Sequence, residues 1–104
     1  MQVQVRGRNM EVTSALKDYV EKRVSKLGKY LDGLGEAQVI LTVEKGSHRV
    51  EVTISINSMI LRGEETTQDM YASVDLVVEK LEKQVRKYKG KLLRRLGRPA
   101  GEVT

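Results

Sequence analysis

Cysteine, phenylalanine and tryptophan are absent from the 104 residues, and histidine and proline occur once each. Without cysteine there is no disulfide framework and no thiolate chemistry, and a reducing cytoplasm is the expected setting. A lone histidine, His48, leaves no His/Cys cluster for a metal. Neither standard Gly-rich phosphate loop is present. No stretch approaches the ~20 apolar residues of a membrane helix. The start, Met1-Gln2-Val3-Gln4-Val5-Arg6, alternates in polarity and leads into no apolar run, so it does not read as a signal peptide. His48 falls in a predicted turn and reads as a solvated residue. Glu64 and Glu65 are neighbours on a predicted strand, so they point to opposite faces and cannot share a site. The expectation is a protein that is not an enzyme, has no cofactor, metal or small-molecule substrate, and makes no membrane contact.

What is present describes one domain. A chain of this length has room for a single core. Strand one is expected over 2–6, with Val3 and Val5 on one face. Thr13 is placed to cap a first helix running to about Leu31, where Leu16, Val20, Val24, Leu27 and Leu31 form an apolar stripe. Gly28 weakens that helix, and Gly33 with Gly35 ends it. Strand two spans about 36–44 (Ala37, Val39, Leu41 and Val43 inward), followed by a turn over 45–48. Strand three spans 49–57, with Val50, Val52, Ile54 and Ile56 inward. Strand four covers about 59–65, with a facing left open because Met59, Ile60 and Leu61 are all apolar.

A second helix starts near Asp69 with the stripe Met70, Val74, Val77, Leu81, Val85, Tyr88 and Leu92. Gly97 and Pro99 stop it. The order β-α-β-β-β-α, with one apolar stripe per helix and one apolar sheet face, predicts an α+β two-layer sandwich. Its four-stranded sheet carries both helices on one face. The domain is expected over 1–96, and 97–104 is a tail or the start of a linker.

The outward sheet positions Gln2, Gln4, Gln38, Thr42, Glu51, Thr53 and Ser55 carry no aromatic ring. Stacking of unpaired bases on the sheet is therefore not expected. The charge lies elsewhere. The chain is +5 overall, but residues 80–98 hold nine bases and one acid, while residues 1–79 hold ten bases and twelve acids. At about 100° per residue, Lys80, Lys83, Lys87, Lys91 and Arg94 fall within one sector of about 80° on the second helix. The opposite flank is mixed: Asp75, Glu79, Glu82 and Arg86. A solvated helix usually alternates sign to gain i,i+4 pairs, so a stripe of one sign points to a polyanion. The first helix adds Lys22, Lys26 and Lys29 on its outer face, with Arg23 at the edge. The basic edges of the two helices are expected to combine into a groove for phosphates, read by shape and charge rather than by bases. A generic double-stranded-RNA-binding module and a protein-interaction adaptor are the alternative classes.

The segment Gln68-Asp69-Met70-Tyr71-Ala72-Ser73-Val74-Asp75, followed by Lys80-Leu81-Glu82-Lys83-Gln84 and Lys87-Tyr88-Lys89, resembles the signature of the hibernation-promoting factor and ribosome-associated inhibitor family. The opening Gly7-Arg8-Asn9-Met10-Glu11-Val12-Thr13, with Leu16 and Tyr19-Val20, resembles that family's start, as does the run from Val39 to Lys45 in strand two. The resemblance implies a non-catalytic β-α-β-β-β-α domain. It would bind the small ribosomal subunit and its rRNA in the channel of messenger and transfer RNA, blocking translation and preserving idle ribosomes. It also implies RNA contact by Lys80, Lys83 and Lys87, by the neighbouring Arg86 and Lys89, and by Lys22, Arg23, Lys26 and Lys29. Asp69 reads as a helix cap; Tyr71 and Asp75 match without an assigned role. Long members of the family add a linker and a domain that pairs ribosomes. The isolated chain is expected to be monomeric, either as a short form or as the N-terminal domain of a long one.

Overall fold

In the computed structural model, residues 1–31, 35–57 and 59–95 are described, the last six as helix backbone only. The elements are β1 (Gln2–Arg8), α1 (Ser14–Ser25), a 3-10 segment (Lys26–Leu31), β2 (Glu36–Glu44), β3 (Ser47–Ile56), β4 (Met59–Thr67) and α2 (Met70–Arg95). The sheet order is β1-β2-β3-β4; β1 runs parallel to β2, and the other neighbours are antiparallel. Both helices cover one face of this sheet. The core between the layers joins Leu16, Val20, Val24 and Leu27 of the first helical stretch to the inward rows of β2 and β3. Val74, Val77, Leu81 and Val85 of α2 close it. The expected two-layer architecture is what forms.

Local chemistry sets the boundaries. Thr13 caps α1, its hydroxyl accepting from the Leu16 N–H at 3.2 Å. The expected single helix to Leu31 is instead an α-helix that tightens into a 3-10 turn at Lys26. The change comes just before Gly28, where an added Cβ would lie 3.2 Å from Met1 Cβ. The β2–β3 turn is shorter than expected. Lys45 and Gly46 both take positive φ (49° and 79°), and Glu44 pairs directly with Ser47. A two-residue turn with both central residues at positive φ matches strand twist and lets pairing begin at once. His48 is therefore a strand residue, half-buried opposite Val43 and Thr67, and not a solvated turn residue.

The register resolves β4, which runs two residues past Glu65. Met59 and Leu61 are on the inward side opposite Ile56 and Ile54, and Ile60 is exposed. Gly63, opposite Val52, lies under α2. A Cβ there would stand 3.1–3.2 Å from Leu81 and Val77 side-chain atoms. Asp69 does cap α2, with Oδ2 accepting from the Ala72 N–H at 3.0 Å. Ser73 donates to the His48 carbonyl at 2.7 Å and pins the first turn of α2 to β3. Val78, outside the predicted stripe, is also buried. Gly33, Ser58, the side chain of Leu92 and the stop at Gly97 and Pro99 lie outside the described residues, as does the proposed tail 97–104.

Candidate nucleic-acid interface

The flank of α2 that carries Lys80, Lys83 and Lys87 lies on the β4 side of the helix. Gln84 donates from Nε2 to the Arg62 carbonyl at 2.9 Å, and Lys80 lies 3.7 Å from a Glu65 oxygen. Glu65 thus points to the helix side and Glu64 to the other face, where it approaches Arg49 at 3.8 Å. Lys83, Lys87 and Lys89 are exposed and make no ion pair among the described residues. Lys22, Lys26 and Lys29 are exposed and equally unpaired on α1 and the 3-10 segment. The helix backbone continues under Lys91 and Arg94, whose side chains lie outside the described residues.

Besides Lys80, the expected arginines Arg23 and Arg86 are also engaged with acids. Arg23 donates from Nε to Asp75 Oδ1 at 3.0 Å, and the Tyr19 hydroxyl donates to the same oxygen. Tyr71 packs edge-on to Tyr19, with ring centroids 4.9 Å apart. A second cluster of this kind forms at Tyr30, in the 3-10 segment that follows α1. The Tyr30 hydroxyl donates to Glu82 Oε1 at 2.9 Å. Arg86 donates from Nη2 to the same oxygen at 2.7 Å and to the Tyr30 hydroxyl at 3.3 Å, and its guanidinium carbon lies 5.4 Å from the Tyr30 ring centroid.

These two clusters fill the seam between the helical stretches. Among the described residues, the expected basic groove between the helices is not there. The flank of α2 that faces α1 carries Asp75, Glu82 and Arg86, and the unpaired Lys83 and Lys87 lie away from that seam. The hydrogen bond to Asp75 holds the Tyr19 phenol above its ordinary range, with burial adding to it. The hydrogen bond to Tyr30, with attraction from Tyr30 and Glu82, raises the Arg86 guanidinium further, so it stays a cation. Sequence reasoning missed the tyrosines. The signal was in the spacing: Tyr19 and Arg23 are four apart, Arg23 and Tyr30 seven, Asp75 and Glu82 seven, so each set returns to one helix flank.

The outer sheet face is polar, as expected, but it is not a simple solvated surface. Its bases are all arginines. Arg8 stands 4.0 Å from Glu51, and Arg49 stands 3.9 Å from Glu51 and 3.8 Å from Glu64. Thr42, between Arg8 and Arg49 in register, is buried at 2% exposure. Among the described residues no group of three or more His, Cys, Asp or Glu is placed to hold a metal ion, and no helix is long and apolar enough to cross a membrane.

Fold and flank together define a small α+β domain with a lysine edge of the kind that polyanion-binding domains present. The chain belongs to the family described as Sigma 54 modulation protein / S30EA ribosomal protein, whose model matches residues 3–93. It is 39% identical over 95 residues to the ribosome hibernation promoting factor of Azotobacter vinelandii, covering 91% of this chain and 89% of that protein. It is 42% identical over 104 residues to the ribosome hibernation promotion factor of Lactococcus lactis subsp. cremoris. There the match covers 95% of this chain but spans only about half, 56%, of the relative's length. The crystal structure of the Thermus thermophilus Protein Y N-terminal domain is similar at a TM-score of 0.80 and 37% identity, covering 85% of this chain and 99% of that one.

Proposed function

We propose that the chain is a ribosome hibernation factor of the cytoplasm that binds the small ribosomal subunit and its rRNA. It occupies the channel used by messenger and transfer RNA, inhibits translation and stabilises inactive ribosomes. The observation that carries this reading is the exposed, unpaired lysine set on the outer flank of α2, Lys83 and Lys87, with Lys80 beside them. Unpaired lysines on a rigid helix recognise phosphates by charge and spacing, and need no base readout. Lys89 and, across the helical layer, Lys22, Lys26 and Lys29 extend the contact. Arg23 and Arg86 enter it already paired to acids. The names carried by the relatives in Azotobacter and Lactococcus support the same assignment. Co-sedimentation with isolated small subunits, set beside inhibition of translation in vitro, tests it. Binding and inhibition are expected together; a chain that stays at the top of the gradient in low salt would overturn the reading.

A further inference from the structure

Arg86 is built differently from the lysines around it. Its charge is already matched by Glu82 at 2.7 Å, so it is not a free phosphate contact. Its orientation is fixed by two hydrogen bonds from one nitrogen and by the Tyr30 ring beneath it. Even so, its side chain is 62% exposed. A guanidinium held at the hydroxyl end of a ring, 5.4 Å from the ring centroid, and largely exposed is a flat, preorganised platform. Such planes stack unpaired nucleobases. Lys83 and Lys89, three before and three after it, are its neighbours on the helix surface, and Lys29 adjoins Tyr30 in the chain. A nucleotide whose base lies on Arg86 thus has unpaired cations near for its phosphates.

The geometry points to a nucleobase-stacking site on the outer face of the Arg86 guanidinium, backed by Tyr30, which takes an unpaired base of single-stranded or bulged RNA. A base inside a duplex has both faces covered by its neighbours and does not fit. The inference deepens the RNA-binding reading and rests on it. It adds one contact to a base where the lysine flank contacts only backbone.

The test compares a short oligoadenylate with an abasic oligoribonucleotide of the same length, which carries the same charge and lacks the bases. The full chain should bind the oligoadenylate about five- to 150-fold more tightly, the range for one stacked base. Arg86→Lys keeps the charge beside Glu82 and loses the plane, so the ratio of the two affinities should fall to about one. Tyr30→Leu, which removes the ring beneath the guanidinium, should also reduce the preference and serves as the second variant. Equal binding of the two oligomers by the unsubstituted chain, or a preference that survives both substitutions, would overturn the stacking site. Failure of the ribosome reading shows separately, as a chain that does not co-sediment with small subunits.

Discussion

Asp75 Oδ1 accepts from both the Tyr19 hydroxyl and Arg23 Nε, so one carboxylate oxygen joins α1 to α2. The proton on Tyr19 is part of that joint. Because the folded phenol titrates above its ordinary value of about 10, the folded chain holds this proton where the unfolded chain has lost it. The stabilisation is therefore fully present below pH ~10 and disappears as pH rises through the folded value. Tyr19→Phe should cost about 1.5 kcal/mol at neutral pH, the lower end for a bond to a charged group because Asp75 is partly exposed, and should flatten the alkaline fall in stability. Urea melts of the two proteins from neutral to alkaline pH check both. An alkaline limb of equal steepness in the variant would mean that some other group is responsible. Gly63 makes a second point at this scale. Gly63→Ala places a methyl 3.1–3.2 Å from Leu81 and Val77 and should destabilise by about 1–3 kcal/mol, seen as a lower melting temperature.

Each element was legible in the sequence where its period was uniform. The inward row of β3 alternates strictly, that of β2 does so apart from Ile40 and the buried Thr42, and the two strands pair in the expected antiparallel way. The α2 stripe recurs every three or four residues, and Met70, Val74, Val77, Leu81 and Val85 are all buried. Misreadings came where backbone geometry or a second element decided. The positive φ of Lys45, which moved His48 into β3, leaves no periodic trace. The tightening of α1 at Lys26 comes just before Gly28, which lies close to Met1, a contact between distant parts of the chain. The Tyr19 and Tyr30 clusters leave a spacing on each helix, but which residues pair is fixed only once both helices are in place. The proposed RNA-contact residues were read from charge pattern and resemblance, neither of which can tell a free lysine from an arginine already tied to an acid.

The lysine flank of α2 carries its own prediction. If Lys80, Lys83 and Lys87, with the other bases of that flank, neutralise about five phosphates, log K against log salt should fall with a slope between about −3.5 and −4.5. Lys83→Glu with Lys87→Glu should make that slope shallower by about 1.5 and weaken subunit binding sharply. The melting temperature should stay almost unchanged, because both side chains are exposed. A slope near zero in the unsubstituted chain would rule out the electrostatic mechanism.

For the molecule as a whole, the surface argues against self-association. The exposed large apolar residues among those described are Ile60, Tyr71 and Leu76, on two different elements. A stable symmetric interface buries about 800 Å² per partner, much of it apolar at the centre. The isolated chain is expected to be monomeric and to stabilise single ribosomes without joining two. Analytical ultracentrifugation checks the first, and sucrose-gradient profiles of ribosomes with this chain alone check the second. A robust peak of paired ribosomes that depends on the chain is the contrary outcome.

The order of the elements has a consequence for synthesis. α2 is the last element of this domain to be made, and its apolar stripe has nothing to cover until β3 and β4 have paired. While the chain is still being translated, the lysine flank is therefore not yet held on a rigid helix. The lysine flank is thus assembled after the rest of this domain, and under the proposed function a half-made domain does not present it to the machine that is making it.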